Sequence, residues 1–190
     1  MTVAAVDDLQ RVCVKIYAPE PDFDDQLYVP IFHDWVRERV FDDLILFDVA
    51  DYAHVPESPG IVLVAHEAHF ALDRSDGRFG LLIQRRVSGE GDSVESLACL
   101  IRHGLEVARR LEQDGRVEGK IAFDTSTLRI EANDRLRAPN TDDGYRGFEP
   151  IVRAAVERAF GGAEITLARV ANDARDRLAA EVRITASVAS

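Results

Sequence analysis

The chain has 190 residues, of which 46% are hydrophobic and 30% are charged, and its formal net charge is −11 at pH 7. This length predicts one domain, and this balance of apolar and charged residues excludes an intrinsically disordered chain. The acidity disfavours nucleic acid and anionic membrane surfaces as partners, because both bind clustered Lys and Arg, and no apolar stretch reaches the length of a bilayer span.

The N-terminus and the cysteines indicate the compartment. Residues 1–10 contain no basic segment followed by a long apolar one, so we expect no secretory signal, a frayed N-terminus and a cytoplasmic protein. The two cysteines, Cys13 and Cys99, lack a Cys-x-x-Cys partner. We therefore expect no disulfide framework, with Cys13 as a small residue of the core.

The first half of the chain predicts one strand, one helix and a pair of buried strands. Residues 11–17 alternate as in a strand, and seven apolar residues at 3.6 spacing predict a helix over 26–40. The runs 44–49 and 60–65 predict strands buried on both faces, joined by a loop that contains two prolines. Beyond them, an Asp-Gly step before residue 79 indicates a β-hairpin.

The second half predicts two helices and a final group of strands. Asp92 and Glu95 have the spacing of a capping box, which opens a helix to about residue 114. Residues 120–132 form two short strands or one bent ribbon. The last elements are a helix that begins at Tyr145 or Pro150 and ends at Phe160, followed by strands over 163–170 and 178–188.

These elements define a fold class. Most connections are too short for parallel crossovers, so the pattern predicts a mostly antiparallel sheet of about eight strands. Three helices are expected to pack on this sheet. The result is a single layered α+β domain over residues 11–188, preceded by the frayed residues 1–10.

Four of the five histidines lie between residues 33 and 69, where carboxylates also gather. Asp48, Asp51, Tyr52 and His54 follow or end the 44–49 strand, and they are candidates for binding a small ligand. The alternative for this loop is turn chemistry, with Asp51 as the capping residue.

The segment from His66 to His69 supplies the remaining candidates. It departs from the zinc-protease helix signature, because its histidines are three apart and follow a strand-like run. On a strand, Glu67 and His69 share a face and His66 lies on the other. His54, Glu67 and His69 are therefore the candidate ligands of a divalent transition metal, with Glu67 as a weak candidate for a general base.

This site depends on strand direction. The loop around His54 meets Glu67 and His69 only if strands 44–49 and 60–66 run parallel, and antiparallel pairing puts them at opposite ends. Helical phase places His33 and His103 on exposed faces.

A second polar segment spans residues 133–144. Arg135 and Arg137 could bind a carboxylate or phosphate in this segment. The alternative is that Asn140 or Thr141 caps the next helix and that Arg135 pairs with nearby acids.

The chain carries no P-loop, no dinucleotide-binding glycine motif and no nucleophile elbow. The sequence therefore favours a non-catalytic ligand-binding or assembly protein. One version is a homo-oligomer that associates through an exposed surface around Tyr28, Trp35 and Phe41. The alternative is a metal-dependent hydrolase or lyase that uses carboxylates and histidines within residues 48–69.

Overall fold

The structure is a computed structural model of the chain, and it describes residues 9, 11–55, 58–86 and 92–185. In this part of the chain, eight antiparallel strands form one sheet and three α-helices accompany it, which confirms the predicted α+β class. The strands are β1 (Val12–Tyr17), β2 (Leu46–Asp51), β3 (Ile61–Ala65), β4 (Ala68–Asp73), β5 (Gly80–Arg85), β6 (Asp124–Ala132), β7 (Glu164–Arg169) and β8 (Ala179–Thr185). The helices are α1 (Tyr28–Glu38), α2 (Ser93–Gln113) and α3 (Asp142–Ala159).

The strands lie in the order β2-β3-β4-β5-β1-β6-β8-β7, with every neighbouring pair antiparallel. The first strand of the chain is therefore central, whereas β2 and β7 form the edges. The predicted hairpin joins β4 to β5, and Gly77 adopts the positive φ that its turn requires. Residues 124–132 form one strand, whereas residues 120–123 form none, so the prediction of strand over 120–132 is correct only for its second part.

The helices bury one face of the sheet. Alternate residues of the strands, such as Val14, Ile16 and Leu63, join the buried residues of all three helices in one hydrophobic core. The opposite face carries Cys13 and Lys15 on β1, and we call it the open face. Because residues directly opposite each other in a ladder share a face, the open face also includes Gln84 and Glu131.

Strand β2 differs from its predicted burial. The prediction of a strand buried on both faces is correct for β3, but β2 has an exposed Phe47 and an exposed Asp48. The reason is topological: β2 is hydrogen-bonded to β3 on one side and forms the edge of the sheet on the other.

The prediction of an exposed self-association surface around the aromatic residues of α1 and the segment after it is also wrong. Tyr28, Trp35 and Phe41 are all buried in the core. The rings of Trp35 and Phe41 pack edge to face with their centres 5.6 Å apart, because the chain after α1 folds back and packs on the helix.

Most of the chain ends lie outside the described residues. Among residues 1–10, expected to be frayed, the structure describes Leu9, which is buried and whose N–H donates to Ser93 Oγ at 3.1 Å. Residues 186–188, the predicted end of the domain, are not described. The described helices include none that is long and apolar enough to cross a membrane.

Gly104 allows α2 to approach the sheet closely, and its replacement tests this packing. A Cβ at this position would lie 2.7 Å from Ile83 Cδ1 and 2.9 Å from Ile83 Cγ1. We expect Gly104→Ala to lower the free energy of unfolding by about 1–2 kcal/mol, because overpacking outweighs the helix propensity that alanine adds. Urea denaturation measures the change.

The control is Gln113→Ala at an exposed position of the same helix, which should change stability by less than about 0.5 kcal/mol. A Gly104→Ala protein as stable as the parent would contradict the close approach.

Candidate functional site

Antiparallel pairing of β2 and β3 separates the residues predicted to form one site. Asp51 lies opposite Ile61, whereas Leu46 lies opposite Ala65. The loop with Tyr52 and His54 therefore lies at one end of the strand pair, and Glu67 follows β3 at the other end.

At the end of the strand pair that carries the loop, the Asp51 side chain holds the backbone of the loop in place. Its carboxylate accepts hydrogen bonds from Gln26 Nε2 at 3.0 Å and from the Ala53 N–H at 2.9 Å. These two bonds, the Gln26 bond first, lower the pKa of Asp51. Asp51 therefore caps the turn, which is the alternative that the sequence offers for this loop, and Tyr52 and His54 are exposed to solvent.

At the other end, the metal candidates remain apart. His69 is partly buried, and burial followed by the charge of Arg86 lowers its pKa. Asp48 of β2 and His69 of β4 both lie opposite Val64 of β3, so a whole strand separates Asp48 from His69. Across the described ranges, no group of three or more His, Cys, Asp or Glu side chains could hold a metal ion. The structure therefore does not bring His54 together with Glu67 and His69.

The two histidines on helices, both predicted to be exposed, differ from each other. His33 is exposed, as its helical phase predicts. His103 is buried, so the prediction of an exposed side chain is wrong. Its Nε2 lies 3.1 Å from Asp43 Oδ2, because the connection between α1 and β2 crosses α2 at this point. The same connection places the Phe41 ring 4.8 Å from the Arg110 guanidinium.

The exposed apolar side chains concentrate at the β2 edge. Leu136 lies elsewhere, but the other four exposed large hydrophobic residues in the described part of the chain belong to β2 and the residues next to it. We call these four the edge patch: Ile45, Phe47, Tyr52 and Val55. Ile45 and Phe47 expose 64% and 52% of their surface. Phe47 lies within β2, Ile45 directly precedes the strand, and Tyr52 and Val55 follow it. Exposed apolar side chains gathered in this way are typical of an interaction surface.

The backbone of β2 adds hydrogen-bonding groups to this patch. The Tyr52 N–H bonds to the Gly60 carbonyl at 2.9 Å, so it points toward β3. Because peptide groups alternate in direction along a strand, those of Val49 and Asp51 point away from the sheet. The Asp48 carboxylate accepts the outward Val49 N–H at 2.8 Å, which covers the middle of the edge.

A buried ion cluster occupies the open face, and sequence reasoning missed it. Lys15 is 3% exposed, and its ammonium donates to Asp73 Oδ2 at 2.7 Å, to Asp76 Oδ1 and to the Arg78 carbonyl at 2.8 Å. Asp73 is the last residue of β4, and Asp76 lies in the β4–β5 turn. The signal for Lys15 was present in the sequence, since it is the one charged residue of an otherwise apolar β1.

Tyr17 and Cys13 extend the cluster along β1. Tyr17 donates its hydroxyl proton to Asp76 Oδ2 at 2.8 Å, and the Arg78 guanidinium lies 3.5 Å from its ring centre. Burial, followed by this hydrogen bond, raises the pKa of Tyr17 to about 12. Burial and the nearby Glu131 raise the pKa of Cys13 to about 12. Cys13 is thus buried, as the sequence predicts, but it lies on the open face and outside the core that the helices cover.

Comparison with protein families and with curated protein sequences gives no relative from which to assign a function. The sequence matches no protein-family model and no curated protein sequence. Functional inference therefore depends on the two surfaces described above, the β2 edge and the open face.

Removal of Lys15 tests the cluster. Lys15→Met leaves the buried Asp73 carboxylate without its cation, and we expect the free energy of unfolding to fall by about 3–5 kcal/mol. Adding Asp73→Leu should recover at least about 1 kcal/mol, because a buried ion pair is replaced by apolar packing. Chemical denaturation of the single and double variants measures the coupling. Strictly additive losses would contradict a direct pair.

Asp76 gives the cluster a pH dependence. Burial raises its pKa, but hydrogen bonds from Lys15 and Tyr17 outweigh burial and leave the pKa lowered. The stabilisation is therefore complete above the unfolded pKa of about 3.9 and is lost as the pH falls through the lower folded value.

We expect Asp76→Asn to reduce stability at neutral pH, with the difference from the parent shrinking below about pH 4. Urea denaturation across this range provides the measurement, with the exposed Asp42→Asn as the control. A difference that grows toward acid pH would contradict the assignment.

Proposed function

We propose that the chain is a non-catalytic binding module whose β2 edge accepts an extended segment of a partner protein as a ninth strand. The observation that carries this proposal is the edge patch, which contains four of the five exposed large hydrophobic residues among those described. Strand addition requires a backbone ladder and side-chain contacts, and an edge strand with exposed apolar side chains on it and beside it supplies both.

Backbone geometry supports strand addition at this edge. The peptide groups of Val49 and Asp51 point outward, so an incoming strand can form a ladder with them. Asp48 covers the Val49 N–H in the free protein. A partner strand therefore displaces the Asp48 carboxylate, which selects against weak, non-specific edge contacts.

Charge defines the chemistry of the partner. Asp42, Asp48 and Glu67 lie on or near this edge, are exposed, and have no cationic partner among the residues that the structure describes. The whole chain carries a net charge of −11. Complementarity then favours a segment in which apolar residues alternate with Lys or Arg. A second copy of the chain would bring a second acidic edge to the same place.

Removal of the edge patch tests this function. The probe is a short peptide in which Val and Lys alternate, and its binding to the full chain is measured by calorimetry. We expect Ile45→Ser/Phe47→Ser to weaken binding at least about tenfold, because two apolar contacts are lost. Added salt should also weaken binding, since opposite charges attract. The matched control is Leu136→Ser, which removes an exposed leucine far from β2 in sequence.

Two further peptides sharpen the result. A version N-methylated throughout cannot donate backbone hydrogen bonds, and a Val–Glu version carries the wrong charge, so neither should bind. Equal binding of either peptide would contradict the proposal. Salt-enhanced dimerisation of the chain in sedimentation, abolished by Ile45→Ser/Phe47→Ser, would instead make a second copy the occupant and overturn the basic partner.

A further inference from the structure

A separate cleft of about 800 Å³ opens next to the ion cluster on the open face. Three segments border it: the β4–β5 turn, the end of β6 with the residues after it, and the connection between β7 and β8. Its lining includes Arg129, Glu131, Arg135, Arg175 and Arg177. This volume lies in the range of pockets that hold small organic ligands.

Most charges of the cleft neutralise one another. Glu131 accepts from Arg129 at 3.1 Å and from Arg177 at 3.2 Å, so one carboxylate is held by two guanidinium groups. Asp76, at the β4–β5 turn, is paired with Lys15. Glu131 and Asp76 are therefore already neutralised by cations. Asp176 also lines the cleft, and its carboxylate accepts the Asp173 N–H at 3.1 Å without a cationic partner among the described residues.

Two arginines in the cleft remain without a carboxylate. Arg135 donates from Nη1 to the Arg175 backbone carbonyl at 2.7 Å and forms no ion pair within the described ranges. The Arg175 guanidinium has no hydrogen-bond or ion-pair partner among those same residues. The contact between Arg135 and the Arg175 backbone keeps both residues at one side of the cleft.

A buried amide holds this side of the cleft in place. Asn140 is buried, and its Nδ2 donates to Asn172 Oδ1 at 2.8 Å and to the Asp173 carbonyl at 3.0 Å. Its Oδ1 accepts from Arg169 Nη2 at 2.9 Å. The connection that carries Arg175 is thus attached to the start of α3, which reduces the ordering cost of binding.

We infer that this cleft binds a small organic anion through a carboxylate or phosphate group held by Arg135 and Arg175. Guanidinium groups match the planar carboxylate and the phosphate in charge and in hydrogen-bond geometry. The cleft is larger than either group alone requires. The remainder of the ligand lies toward Ser75 and Asn133, whose polar side chains suit hydroxyl or amide groups.

Nuclear magnetic resonance titration of the full chain tests this inference. The probes are citrate, ribose 5-phosphate and, as a neutral comparison, ribose. We expect citrate or ribose 5-phosphate to saturate with shifts of the Arg135 and Arg175 Nε–H signals, and ribose to give no saturation. The tighter of the two anions distinguishes a carboxylate ligand from a phosphate ligand.

Variants assign the binding to the two arginines. Arg135→Gln/Arg175→Gln should weaken binding of the anion at least about tenfold, because charge-assisted hydrogen bonds are lost. Arg175→Lys should retain part of the affinity, since it keeps the charge. Arg86→Gln is the matched control, because Arg86 is exposed and lies outside the cleft lining.

The possible results separate clearly. Unsaturable binding of both anions, equal binding of ribose and ribose 5-phosphate, or full affinity in the double glutamine variant would each overturn the inference. The edge variant Ile45→Ser/Phe47→Ser should bind the anion normally, so the failure of the edge proposal and the failure of this one are distinguishable.

Discussion

The burial of Lys15 between two carboxylates is the interaction on which the open face depends. Strand β1 lies in the middle of the sheet, where the helices cover one face and the opposite face still needs burial. The Lys15 ammonium donates hydrogen bonds to Asp73 at the end of β4 and to Asp76 in the β4–β5 turn, and these bonds hold the turn over β1. That turn then forms one wall of the cleft. The cluster thus links the stability of the centre of the sheet to the shape of a binding surface.

The two surfaces use opposite electrostatics in one acidic chain. The β2 edge carries carboxylates that have no cationic partner among the described residues, beside exposed apolar side chains. The cleft instead carries four arginines, and Asp176 is its one carboxylate without a cationic partner in the described part of the chain. Each surface therefore favours a ligand that the other repels. They also lie on different parts of the sheet, since β2 forms one edge and the cleft is built around β6 and the β7–β8 connection.

The sequence predicted the fold class because apolar periodicity and short connections are local properties. It predicted the burial of β3 correctly and that of β2 incorrectly, because a run of apolar residues does not say which strand becomes an edge. His103 shows the same limit, since helical phase ignores the Asp43 segment that crosses α2. The predicted site of His54, Glu67 and His69 is not formed for a related reason. Strand direction decides which strand ends lie together, and it is a property of the whole sheet.

The position of β1 in the sheet also has a consequence for the order of folding. Strands β2 to β5 pair with their sequence neighbours, and so do β7 and β8. In contrast, β1 is synthesised before both of its partners, β5 and β6, which follow much later in the chain. Its apolar residues must wait for these distant partners, and such non-local pairing slows folding. The strand that unites the finished sheet therefore stays unpaired until β5 has been made, which leaves its apolar residues open to aggregation during synthesis.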